Sequence, residues 1–151
     1  MKIGIPRALL YFWYGHLWER FWSECGWEAQ VSPPTDHRIM KSGVNVAIDE
    51  LCLPVKVFLG HVQFLAPKVD RIFIPHLIKV ERDAFICPKF MGLPDLVRQA
   101  LPDSASKLLV SKVGPKKVDP VMSLTRTALK EGVPKAMAHK ARKIISKPAK
   151  N

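Results

Sequence analysis

No stretch of this chain approaches the ~20 consecutive apolar residues that a membrane span requires; the longest early run, Ala8–Tyr14, is followed by Gly15 and His16. A secretory signal is not expected either, because Pro6 and Arg7 interrupt the start before an apolar core can form. Cysteine is scarce. There are three, an odd number with no C-x-x-C spacing, which argues against a disulfide framework and for free thiols or metal ligands in a cytoplasmic protein. The five histidines, His16, His37, His61, His76 and His139, form no H-x₃-H or HExxH pattern. Neither GxGxxG nor GxxxxGK[ST] occurs, and no serine sits in a G-x-S-x-G elbow, so the dinucleotide, P-loop and hydrolase readings lack support. Internal repeats are absent, and only the Lys-rich end is of low complexity.

What is present is the composition of one folded domain: 151 residues, 48% apolar and 25% charged. Its net charge of +11 is unevenly spread. Residues 1–103 hold 12 Lys/Arg and 11 Asp/Glu, whereas residues 104–151 hold 12 Lys/Arg against only Asp119 and Glu131. The basicity therefore belongs to the C-terminal third. Without interleaved aromatics there, an acidic protein surface is a better expected partner than nucleic acid.

Periodicity organises the chain as α/β. Lys2–Pro6 reads as a short buried strand. From Tyr14 to Cys25, the residues Tyr14, Leu17, Trp18, Phe21, Trp22 and Cys25 recur on one side of a helix that Gly26 can cap. Cys25 and the tryptophans Trp13, Trp18, Trp22 and Trp27 then belong to a core and its flanks. Glu28–Ser32 is a second strand, completing a βαβ outline. A short helix capped by Thr35 or Asp36 should run to Lys41, and a further one from near Leu53 to Ala66, with Pro54 in its first turn. Asp70–Pro75 is a third strand, followed by a loop of roughly fifteen residues that carries Cys87 and ends near Gly92. Pro94–Leu101 is then a helix and Lys107–Val113 a fourth strand. The expected architecture is a Rossmann- or flavodoxin-like, mostly parallel sheet of about four strands over residues 1–113. Residues 114–151 form a basic helical extension, Asp119–Lys130 and Val133–Lys147, whose thin apolar face asks for a partner surface.

Two thiols stand apart from packing. Cys52 and Cys87 each lie beside a proline at the edge of a predicted helix or loop, near the carboxyl ends of strands where open α/β sheets bind ligands. A residue ahead of a helix meets unpaired N–H groups and the positive dipole end, which favour a thiolate. Cysteine is also a small hydrophobe often found buried, so position alone leaves both accounts open. His61 and His76 could line a site near Cys52, or be surface or hydrogen-bonded residues.

Six blocks in order carry a resemblance: Lys2-Ile-Gly-Ile-Pro-Arg-Ala-Leu9, Val31-Ser-Pro-Pro-Thr35, Asp49-Glu-Leu-Cys-Leu-Pro-Val-Lys56, Gly60-His61, Ile72-Phe-Ile-Pro75 and Ile86-Cys-Pro-Lys-Phe-Met-Gly-Leu-Pro94. Together they resemble the acyl-CoA dehydratase activase-related proteins, relatives of 2-hydroxyacyl-CoA dehydratase subunits and double-cubane iron–sulfur proteins. The match is close over residues 1–103 and looser beyond.

The resemblance implies a Rossmann-like domain carrying cysteine ligands of a [4Fe–4S] cluster, with single electrons supplied by an ATP-hydrolysing activase. Cys52 and Cys87 match the first two cluster cysteines; Lys56, His61 and Lys89 are neighbours without an assigned role. Family members are longer and take a further ligand from a second domain, whereas no cysteine follows Cys87 here. The expectation is therefore an incomplete ligand set, met by another subunit, a homodimer or an exogenous ligand, or a split or truncated piece. A link to 2-hydroxyacyl-CoA dehydratase chemistry, a lyase system, exists at family level only. Two competing readings are a non-catalytic module docking to an activase or dehydratase-like subunit through the basic helices, and a small-molecule or flavin-binding domain.

Overall fold

The computed structural model describes residues 1–78, 86–114 and 119–146. Four parallel strands form its sheet, β1 (Lys2–Ile5), β2 (Glu28–Val31), β3 (Arg71–Leu77) and β4 (Leu108–Val113), in the order β2-β1-β3-β4. The helices among the described residues are α1 (Tyr11–Glu24), α2 (His37–Val46), α3 (Leu53–Leu65), α4 (Pro88–Met91), α5 (Leu93–Ala100), α6 (Pro120–Lys130) and α7 (Lys135–Ile145), with a 3₁₀ turn over Pro102–Lys107. The expected α/β class with a parallel four-stranded sheet is what the chain adopts. No helix among the described residues is long and apolar enough to cross a membrane.

Alternation along the strands divides the core in two, as a sheet covered on both faces requires. Ile3, Ile5, Phe73 and Leu109 point to one face, where they meet Trp18, Phe21 and Trp22 of α1 and Leu124, Ala128, Ala138, Ala141 and Ile145 of α6 and α7. Ile72 and Ile74 point to the other, against Val55, Phe58, Leu59, Val62 and Leu65 of α3 and Leu93 and Val97 of α5. Helix α1 ends as its sequence foretells. Gly26 takes φ +78°, and the Trp27 and Gly26 amides donate to the Trp22 and Ser23 carbonyls.

Three differences from the sequence reading have physical causes. First, α2 does not stop at Lys41 but continues through a buried Gly43 to Val46. The glycine is there for contact: a methyl on Gly43 would overlap the Lys56 carbonyl of α3, and one on Gly60 the Ile39 carbonyl of α2. Second, β3 does not close at Pro75 but runs on through His76 to Leu77. Pairing with β1 stops at Gly4–Ile72, so Pro75 lies where only β4 adjoins the strand and its missing N–H breaks no ladder. Third, the helices after Val113 do not want for a packing surface. Small residues Ala128, Ala138 and Ala141 let α6 close onto β4 and α7 onto α1 with its bulky Trp18, Phe21 and Trp22, so a thin apolar stripe suffices. Of the loop expected after β3, residues 79–85 lie outside the described set, and Pro88–Met91 is helical.

Candidate functional site

The chain crosses from one face of the sheet to the other between β1 and β3. The connection through α1 runs over the first face, and the next two, through α3 and α5, run over the second. In open α/β sheets that reversal opens a crevice at the carboxyl ends of the strands. Here the β1 loop, Pro6–Leu10, turns through Leu9 at φ +53° (the one positive φ outside glycine among the described residues) and packs Ala8 and Leu9 beside Leu51 and Val55.

Above this edge stands the α2–α3 hairpin. Asp36 caps α2 by accepting from the Ile39 amide at 2.8 Å; that bond, with the neighbouring Arg38, holds its carboxyl below the usual carboxylate range. Lying antiparallel in glycine contact, the two helices carry their connecting loop, residues 47–52, to the tip. Leu51 is buried there and anchors the loop, while Cys52 beside it is exposed.

Cys52 and Cys87 occupy equivalent local positions. Each is the N-cap residue of a helix with proline in its first turn, α3 for Cys52 and α4 for Cys87. The Cys52 carbonyl accepts from the Val55 and Lys56 amides at 3.1 Å each, and the Cys87 carbonyl from Phe90 at 3.0 Å. Neither side chain caps its helix, so both thiols are free and exposed. The segments are tied together: Lys89 Nζ donates to the Glu50 carbonyl at 2.8 Å, linking the residue two after Cys87 to the residue two before Cys52. Lys56 Nζ donates to the Asp49 carbonyl at 3.2 Å within the same loop. The two lysines to which the sequence assigned no role are thus tethers of the tip. Around them, Ile48, Leu53 and Met91 are exposed apolar residues, and Phe12 and Trp13 are exposed at the start of α1.

His61 is not part of this group. Nine residues beyond Cys52 on α3, it lies about 13 Å further along the helix axis. It is fully buried, with Nδ1 2.8 Å from Ser32 Oγ and Nε2 2.9 Å from Thr35 Oγ1, while Ser32 Oγ accepts from the Arg7 amide at 2.8 Å. Burial, reinforced by the Arg7 charge, pushes its pKa down to about 4. This neutral imidazole locks β1, β2 and α3 together. His76 is half-buried within β3 itself. Cys25 is buried in the first core, its thiol pushed up to about 11 by burial and then by Glu24, as suits a packing residue.

The donor set fits an iron–sulfur cluster in part. Two accessible thiols lie on segments joined by the Lys89–Glu50 bond, but a cubane takes several thiolates. Among the described residues no group of three or more His, Cys, Asp or Glu could hold a metal ion.

Sequence reasoning missed how the blocks interlock. The Val31–Thr35 and Gly60-His61 blocks meet at the buried imidazole, and the Asp49–Lys56 and Ile86–Pro94 blocks meet at the Lys89–Glu50 bond. The order of the short blocks that carry the resemblance is the signal the sequence offers. Compared with known proteins, residues 2–147 match the family model described as CoA enzyme activase uncharacterised domain. No curated protein and no solved structure matches.

Proposed function

We propose, from the premise that the chain belongs to the CoA enzyme activase uncharacterised domain family, that it supplies two thiolate ligands, Cys52 and Cys87, to an iron–sulfur cluster. The cluster would be a [4Fe–4S] centre in a component that works with an ATP-dependent activase or a dehydratase-like subunit. The observation that supports this reading is that two exposed thiols, each at the N-cap of a proline-led helix, sit on segments joined by Lys89 and Glu50. When bound, such a cluster supplies one-electron transfer at low potential. The chain's own part is to hold the two sulfurs on stiff, proline-led backbone, to present the first turn of α3 to negative charge, and to surround the tip with Ile48, Leu53 and Met91. Those apolar side chains suit a docking partner that brings the missing ligands and excludes water. Free thiols fit a reducing, cytoplasmic setting.

Anaerobic reconstitution with ferrous iron and sulfide tests the assignment. Bound iron, bound sulfide and thiolate-to-iron absorbance are expected in the wild type and in Cys25→Ala, and lost in Cys52→Ala and in Cys87→Ala. Unchanged iron in both single variants refutes it. One observation favours a second reading, that of a docking module without iron. With the apolar side of α7 packed in the core, Lys135, Lys140 and Lys143 are left exposed. That reading predicts a complex with a dehydratase-like subunit that weakens with salt and contains no iron.

A further inference from the structure

The sheet ends at β4. No strand pairs with its outer edge among the described residues, so a row of peptide N–H and C=O groups along Leu108–Val113 has no strand to bond. This edge is not flat. It forms the floor of a groove of about 630 Å³, the size of a ligand pocket, walled by Arg98 of α5 and by Met122, Arg126 and Lys130 of α6. Cations outnumber acids along the groove, Arg98, Lys112, Arg126 and Lys130 against Asp119 and Glu131. Of its two acids, Glu131 is paired with Arg71 at 2.9 Å, and Asp119 accepts from the Val121 amide at 2.9 Å. Lys112, Arg126 and Lys130 are exposed and make no ion pair among the described residues.

We propose that this groove takes up an extended acidic segment of a partner polypeptide, which adds to β4 as a fifth strand. Backbone pairing would satisfy the edge, and alternate side chains would face the α5 and α6 walls, where carboxylates meet the free cations. A second copy of this chain is the wrong occupant. Pairing β4 with its own counterpart would set Lys112, Arg126 and Lys130 against the same charges. The site is separate from Cys52 and Cys87, and the inference does not depend on any cluster.

The test uses the full chain with two fluorescent octapeptides, alternating valine–glutamate and alternating valine–lysine, at low ionic strength. Anisotropy is expected to show binding of the glutamate peptide alone, and amide exchange to slow within Leu108–Val113 and not in β2. The exposed double variant Arg126→Glu/Lys130→Glu, shown folded by circular dichroism, should bind it on the order of tenfold more weakly. Any of three results overturns the proposal: no protection of β4 by the peptide, equal binding by the double variant, or β4 already protected in a dimer of the free protein. Binding of the peptide that inorganic pyrophosphate abolishes, without β4 protection, would show a small-anion site and overturn it as well.

Discussion

The imidazole of His61 should make stability depend on pH between about 4 and 6.5. In the folded chain it is buried between two hydroxyls and its pKa falls from 6.5 to about 4. Unfolded, it titrates near 6.5. Between those values the unfolded chain binds more protons, so stability rises with pH across the window and is fully present above it. Below about 4 both states are protonated and this residue removes nothing further. The full span corresponds to about 3 kcal/mol, and the fall from pH 7.5 to pH 5 to about 2 kcal/mol. Against the 5–15 kcal/mol typical of a domain, that is a large fraction.

Urea unfolding followed by tryptophan fluorescence at half-unit steps from pH 5 to 7.5 measures the effect. Asp36, whose carboxyl is held below the ordinary 3.8, also loses stability with acid, but only at lower pH, so it stays out of the window. His61→Gln supplies the reference, since it keeps a polar side chain but cannot take up a proton. The variant should be less stable at neutral pH and nearly flat between pH 5 and 6.5, where the wild type slopes. Equal slopes in the two proteins would refute the assignment of the acid sensitivity to this residue.

The glycine contact between α2 and α3 gives a second expectation. Gly43→Ala gains about 1 kcal/mol of helix propensity, but its methyl overlaps a backbone carbonyl that cannot rotate away. Overpacking costs of about 1–3 kcal/mol or more should win, leaving a lower urea midpoint; a stabilised variant would show that the helices separate freely. The tether at the tip gives a third. Lys89→Met keeps the aliphatic stem and removes the bond to Glu50, an exposed contact worth about 1 kcal/mol or less to stability. Its effect should appear instead as a severalfold lower yield of Cys52–Cys87 cross-linking by a short bis-maleimide, with Cys25 unreactive in both proteins. Equal yields would mean that Lys89 does not hold the segments together.

The strands, α1 with its Gly26 stop, and the start of α3 at its proline were legible because each rests on local chemistry: alternation, a 3.6-residue stripe, a left-handed cap, a missing N–H. What escaped was set by distant partners. Gly43 reads locally as a helix terminator, and only the opposing Lys56 carbonyl makes it an interior contact. Pro75 reads as a strand end, and only the early stop of β1 pairing makes it tolerable inside one. The basic C-terminal helices read as unfinished because the alanines that fit α6 to β4 and α7 to α1 look weakly hydrophobic one at a time.

The same division runs through the candidate site. That Cys52 and Cys87 precede prolines at helix starts is local, and the sequence carries it. That the two segments are joined depends on a bond spanning 39 residues, from Lys89 to Glu50. Neither lysine nor glutamate is unusual in composition, and the acceptor is a main-chain carbonyl, which no side-chain pattern marks. The tip is therefore held by groups that would serve equally well in a structural loop. The proposal that the tip presents ligands rests on the exposure of both thiols while Leu51, beside Cys52, is buried. Cysteine is among the side chains most often sequestered, and a fold that buries Cys25 had the means to bury these two as well.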